Sequence, residues 1–92
     1  MTNEQRTQAF KDFLTAKYKV VVDETQQVTR SYHTFLICPY TKTDHVAQID
    51  VDYKNKVMDA IIFDLGGLKV SAQFEIKNFK KLQTFLGKYA II

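Results

Sequence analysis

Two aspartates, Asp50 and Asp52, stand two residues apart in a segment that alternates apolar and polar residues. Side chains at i and i+2 of a strand share a face, and paired carboxylates can perform acid–base chemistry or bind a divalent cation. The neighbouring turns supply none of the further oxygen ligands of a recognisable calcium loop. Strand aspartates at this spacing more commonly oppose edge pairing and precipitation, so we predict no catalytic or metal role for them.

The chain has one thiol, Cys38, and two imidazoles, His33 and His45. Cys38 and His45 flank one loop and could face each other across a hairpin, but His33 would then lie opposite Asp50, so no third group orients the base. Three soft ligands also fall short of the four in a closed zinc site. A free cysteine of this kind is mostly a small buried hydrophobe. We therefore predict no catalytic residue, metal or cofactor, which favours a binding protein over an enzyme.

The basic residues concentrate near the C-terminus. Residues 66–92 carry a net charge of +4, whereas residues 1–65 carry −1. Helical spacing brings the lysines of the last segment to one side of a helix, where they could contact phosphates in a salt-dependent way. Lysines without arginine or interleaved aromatics are also typical of a solvated helix face near the negative end of the helix dipole. The residues concerned are Lys77, Lys80, Lys81 and Lys88.

The composition bounds the class of protein. A chain of 92 residues makes a single domain, residues 1–92. Its 46% hydrophobic and 13% aromatic content excludes a disordered chain. The single Cys38 cannot form an internal disulfide, the N-terminal residues lack the pattern of a signal peptide, and no apolar run approaches the roughly 18 residues of a membrane span. We expect a cytoplasmic protein.

A helix is predicted at each end of the chain. Thr2 and Gln5 have the spacing of a capping box, and an apolar stripe follows until three valines, residues 20–22, favour a strand. Asn78 can cap the second helix, and Gly87 weakens its last turn. Ile91 and Ile92 could dock into the core or project toward a partner. The stripe of the second helix consists of Phe79, Leu82, Phe85, Leu86 and Tyr89.

The residues between the helices predict strands. Segments 45–53 and 68–76 alternate strictly, and segments 18–23 and 28–38 give two further strands with a turn at 24–27. Gly66-Gly67 fits a two-residue hairpin, and this position between two strands excludes a phosphate loop, which leads into a helix. The prediction is an α+β domain with an antiparallel sheet of about five strands, in the order α-β-β-β-β-β-α.

The two turns of the meander at residues 45–76 predict which face is buried. A three-residue loop at Lys54–Lys56 pairs Val51 with Asp59, and the glycine hairpin pairs Leu65 with Leu68. Both registers put residues 57, 61, 63 and 65 on one face. The predicted core face carries Ala47, Ile49, Val51, Tyr53, Val57, Ile61, Phe63, Leu65, Leu68, Val70, Ala72, Phe74 and Ile76.

The opposite face then has an apolar centre with a charged rim, a pattern typical of an interface. We predict a protein-interaction or self-associating module, with a protein partner or a second copy bound at Met58, Ala60, Ile62, Asp50, Asp52, Tyr32 and Leu36. Two alternatives stay open. One is a nucleic-acid-associated accessory domain that uses the C-terminal lysines, and the other is a binder of a small apolar ligand between the sheet and the helices.

Overall fold

A five-stranded antiparallel sheet with one helix before it and one after it forms the fold. The computed structural model describes residues 2–29, 31–39, 45–64 and 66–92, and of residues 25–29 it describes the backbone alone. The order α-β-β-β-β-β-α confirms the predicted fold class. The elements are α1 (Asn3–Tyr18), β1 (Val21–Thr29), β2 (Tyr32–Cys38), β3 (Val46–Asp52), β4 (Val57–Asp64), β5 (Gly67–Glu75) and α2 (Phe79–Lys88).

Helix α1 begins with the predicted capping box. The Thr2 hydroxyl accepts a hydrogen bond from the Gln5 backbone N–H at 3.1 Å, and the Gln5 side-chain oxygen accepts one from the Thr2 N–H at 2.8 Å. The helix ends at Tyr18, because Lys19 takes the left-handed conformation with φ of 59°. Its buried side carries Phe10 and Leu14 of the predicted apolar stripe, whereas Phe13, predicted in the same stripe, exposes 38% of its surface.

The strands follow one another in sequence order across the sheet, so every connection is a hairpin. Strand β1 is longer than predicted. The turn expected at residues 24–27 is wrong, because β1 continues through this segment with a register shift between Asp23 and Gln26. Residues 28 and 29 consequently belong to β1, and β2 begins at Tyr32. A bulge of this kind lets a strand absorb an extra residue without turning.

The turn between β3 and β4 spans residues 53–56, one residue more than predicted. The Asp52 carboxylate accepts hydrogen bonds from the backbone N–H groups of Lys54 and Asn55, both at 3.0 Å, and from the Asn55 side-chain amide at 2.7 Å. Lys56 takes the left-handed conformation, with φ of 58°. This aspartate-capped turn fixes the register.

The extra residue in the loop exchanges the two faces of strand β4, because a register shift of one residue moves each of its side chains to the opposite face of the sheet. Val51 pairs with Met58 rather than with Asp59, and Ile49 pairs with Ala60. Met58, Ala60 and Ile62 are therefore fully buried, and their predicted position on the outer face is wrong. The residues predicted as core that lie on the outer face instead are Val57, Ile61 and Phe63.

A bulge compensates for this inversion at the next hairpin. Ile62 pairs with Val70 and Phe63 with Leu68, so Lys69 is an extra residue in β5. Val70, Ala72, Phe74 and Ile76 consequently keep the inward orientation that the sequence predicts. Leu68 was predicted to be buried, but 64% of its surface is exposed. The predicted pairing of Leu68 with Leu65 across a Gly66-Gly67 turn is wrong, because Leu68 pairs with Phe63 and Gly67 with Asp64. Leu65 itself lies outside the described residues.

The core lies between the inner face of the sheet and the two helices. Leu82 and Leu86 of α2 are fully buried, and the Phe10 and Phe79 rings stack with centroids 4.7 Å apart, which joins the two helices. Asn78 stands at the N-cap position of α2, but its side chain makes no capping hydrogen bond. Ile91 docks into the core with 1% of its surface exposed. Within the described part of the chain, neither helix has the length and hydropathy to cross a membrane.

The register of β4 predicts losses of stability of different size at two of its residues. Met58→Ala removes a fully buried side chain and should lower the free energy of unfolding by about 2–5 kcal/mol. Ile61→Ala removes a half-buried side chain from the outer face, so we expect a loss of about 1 kcal/mol. Urea unfolding of both variants checks the register, and a larger loss for Ile61→Ala than for Met58→Ala would contradict it.

Candidate functional site

The sheet face turned away from the helices, called here the outer face, is the first candidate site. Strand pairing arranges its side chains in rows that run across the sheet. Val21 pairs with Cys38, Val46 with Phe63 and Phe63 with Leu68, and the β2–β3 register places Cys38 beside Val46. We call these five residues the apolar row.

The ends of the apolar row are well exposed. Val21 exposes 62% of its surface and Leu68 exposes 64%, and the three residues between them are partly exposed. Leu36 and Ile61 stand in the next row, separated by Gln48. A contiguous set of this kind is more than the scattered apolar residues normal on a protein surface. Among the rows of the described outer face, the apolar row is the one made up wholly of apolar residues and cysteine.

The other half of the outer face is acidic. Asp50 pairs directly with Asp59, and Asp52 and Glu75 occupy the row beyond them. We call these four residues the acidic half. Like charges placed directly opposite each other on neighbouring strands are destabilising. Asp50 accepts hydrogen bonds from Thr34 and Gln48 at 2.9 Å, and Asp59 accepts one from Gln73 at 3.2 Å, but these donors are neutral.

Only four of the seven residues predicted to form the interface thus lie together on the outer face. Asp50, Asp52, Tyr32 and Leu36 stand on the outer face, whereas Met58, Ala60 and Ile62 stand in the core. Burial raises the pKa of the Tyr32 hydroxyl, and the neighbouring Asp50 carboxylate raises it further. Backbone and side-chain hydrogen bonds from Asn55 lower the pKa of Asp52, which reflects its role in the turn. Sequence reasoning missed Phe63, Val46 and Val21.

The described residues contain no group of three side chains suited to a metal ion. The thiol and one of the two imidazoles stand on opposite faces of the sheet. Cys38 stands on the outer face, while His33 faces the helices. His45 lies near Asp64, whose pKa is lowered first by a hydrogen bond from Lys69 and to a smaller extent by the charge of His45.

A second cluster of ionisable groups lies on the helix side of the sheet, and no sequence pattern pointed to it. Lys11 of α1 is buried, with 8% of its side chain exposed, and it forms an ion pair with Glu24 of β1. Its amino nitrogen lies 3.4 Å from the Nε2 atom of His33 and 5.3 Å from the centroid of the Phe35 ring. Glu24 and His33, which follow Lys11 by 13 and 22 positions in the sequence, thus both lie beside its ammonium group.

The cluster borders an open depression of about 300 Å³, whose lining also includes Glu4, Thr7, Gln8 and Tyr53. Burial lowers the pKa of His33, and the positive charge of Lys11 lowers it further, whereas Glu24 acts in the opposite direction. A hydrogen bond from Lys11 lowers the pKa of Glu24. The cluster therefore favours a neutral imidazole beside a charged pair, an arrangement that ties α1 to the sheet.

Three of the C-terminal lysines belong to α2, which covers the other side of the sheet, and one precedes that helix. Lys77, Lys80, Lys81 and Lys88 are all exposed, on α2 or just before it. Lys77 forms an ion pair with Glu75 at 3.1 Å, and the Lys88 ammonium lies 5.6 Å from the Tyr89 ring centroid. Lys77 thus reaches the edge of the acidic half, whereas the lysines of α2 lie on the helix side of the sheet.

Comparison of the chain with models of known protein families, with curated proteins and with solved structures found no significant match. The geometry of the chain is therefore the basis for assigning its function.

The Asp50–Asp59 pair predicts that removing one charge stabilises the domain. Asp59→Asn keeps an oxygen that can accept from Gln73 but ends the repulsion, so the free energy of unfolding should rise by roughly 0.2–1 kcal/mol. Asp64→Asn is the matched control, because Asp64 forms an ion pair with Lys69 at 3.0 Å and should lose stability. Urea unfolding measures both, and an Asp59→Asn variant less stable than the wild type would contradict the repulsion.

The His33 environment predicts a pH dependence of stability. Since the pKa of His33 is below 6.5 in the folded state, the unfolded chain binds a proton first as the pH falls below 6.5. The stability associated with neutral His33 is thus complete above pH 6.5 and is lost progressively below it. Thermal unfolding of the wild type and of His33→Gln between pH 6.5 and 4.5 should show a steeper decline for the wild type. Equal declines would mean that His33 titrates alike in both states.

Proposed function

We propose that the domain is a protein-binding module whose partner docks on the outer face of the sheet. The observation that carries this proposal is the apolar row, exposed at both ends at Val21 and Leu68 and centred on the Val46–Phe63 pair. Interfaces commonly combine an apolar centre containing an aromatic anchor with a polar rim. Phe63 supplies the aromatic anchor, and Gln48, Ser71 and Asp23 supply polar neighbours in the adjoining row.

The acidic half specifies the chemistry of the partner. Asp50 and Asp59 face each other without a basic residue in the rows they occupy. A partner that places lysine or arginine over these carboxylates would replace a repulsion by two attractions, and complementary charge also speeds association. The proposed partner therefore presents an apolar strip followed by basic residues.

Stacking two outer faces over their whole area with the apolar rows superposed requires a two-fold axis parallel to the strands, and this would bring the two acidic halves together. That arrangement opposes four carboxylates to four others, so charge disfavours it at low salt. The outer face is accordingly assigned to a different protein rather than to a second copy of the chain. We place this activity in the cytoplasm, because the only cysteine, Cys38, is a free thiol.

Selection of peptides from a random display library on the immobilised domain tests the proposal. The peptides retained should combine apolar residues with lysine or arginine, and their binding should weaken as salt is added. Phe63→Ser should reduce their affinity by about tenfold or more, since it removes the central aromatic anchor. Peptide affinity is measured by fluorescence anisotropy, after circular dichroism has shown that the variant is folded.

The double substitution Lys80→Glu and Lys81→Glu is the control, because it changes charge on α2 and leaves the outer face intact. It should leave peptide affinity unchanged. Selection of acidic peptides that this control no longer binds would assign recognition to the lysine-bearing helix, as the nucleic-acid alternative expects, and would overturn the proposal.

A further inference from the structure

The two edges of the sheet differ in how well they are protected against pairing with another strand. Edge strand β1 carries register shifts between Asp23 and Gln26 and between Gln27 and Thr29. Bulges of this kind protect an edge, because they interrupt its row of hydrogen-bonding groups. The other edge strand, β5, pairs regularly with β4 from Val70 to Glu75 and contains no proline. Among the described strands, β5 therefore offers the more regular edge.

The inward side chains of β5 are less well covered than those of the neighbouring strand. Val70, Ala72 and Phe74 are only half-buried, although each pairs with a residue of β4 that is fully buried. Burial of the inward side chains thus decreases from β4 to the edge strand β5. A further strand added beside β5 would bring more apolar surface against these three side chains, and burial of apolar surface favours association.

We propose that β5 pairs in an antiparallel manner with β5 of a second copy, about a two-fold axis at Ala72, so that two sheets become one. In this register Lys69 lies opposite Glu75 of the second copy, and Ser71 lies opposite its Gln73. On the inner face, Val70 lies opposite Phe74 of the second copy. Opposite charges and apolar pairs directly across two strands are both stabilising, and two-fold symmetry repeats each pair.

The other symmetric registers lack this complementarity. A two-fold axis at Ser71 would place Lys69 opposite Gln73, and an axis at Gln73 would place Glu75 opposite Ser71. Only the axis at Ala72 joins opposite charges. In the isolated chain Lys69 pairs with Asp64 and Glu75 pairs with Lys77, but the Lys69 and Glu75 side chains are 54% and 58% exposed, so both can turn toward a second copy.

This pairing uses an edge that the proposed docking of a partner does not need. The two-fold axis runs through the sheet from face to face, so both outer faces end on the same side. A dimer would present two apolar rows on one continuous surface. The inference therefore goes beyond the proposed function, and the two can fail separately.

Sedimentation velocity over a range of protein concentrations at low salt tests the pairing. The wild type should dimerise. Lys69→Glu and Glu75→Lys should each weaken dimerisation by about tenfold, because each places two like-charged pairs in the dimer. The double variant with both substitutions exchanges the charges and should regain the wild-type affinity. Circular dichroism shows whether each variant is folded. Each single substitution breaks an exposed ion pair, Lys69–Asp64 or Lys77–Glu75, which should lower stability slightly without loss of structure.

Lys80→Glu makes the same change in net charge as Lys69→Glu but lies on α2, so it should leave dimerisation unchanged. A wild type that stays monomeric at all concentrations would overturn the inference. So would single variants that dimerise as well as the wild type, or a double variant that does not recover. Loss of dimerisation in Lys80→Glu equal to that in Lys69→Glu would point to overall charge instead and would also overturn it.

Discussion

The turn between β3 and β4 is held by one carboxylate, and the identity of both sheet faces depends on it. Asp52 accepts hydrogen bonds from the backbone of Lys54 and Asn55, which sets the loop at four residues. With this length Met58, Ala60 and Ile62 enter the core, while Ile61 and Phe63 remain outside. A loop one residue shorter would invert β4 and exchange the side chains that this strand contributes to the two faces.

The same constraint explains the charge pattern of the outer face. Because Asp50 stands opposite Asp59, the acidic residues gather in one half of the face and the apolar row occupies the other. A free domain with this surface has an exposed apolar strip and an unrelieved repulsion side by side. A partner with apolar and basic residues would bury the apolar strip and neutralise the carboxylates, so binding would remove both unfavourable terms. This is the physical basis of the proposed function.

Local patterns predicted most of the fold. The Thr2–Gln5 capping box, the alternation in β3 and β5 and the apolar stripe of α2 each follow from contacts within a few residues. Strand β4 was misplaced because it is apolar on both faces, with Ile61 beside Ile62, so its own pattern could not reveal a one-residue error in the turn. The cluster of Lys11, Glu24 and His33 was not predictable, since only the tertiary fold brings these residues together.

Cross-strand nuclear Overhauser effects between backbone protons of β3 and β4 measure the central feature directly. The register described here predicts contacts that pair Val51 with Met58 and Ile49 with Ala60. Contacts that pair Val51 with Asp59 and Ile49 with Ile61 would contradict it, because they would return Met58 and Ile62 to the outer face and bury Phe63.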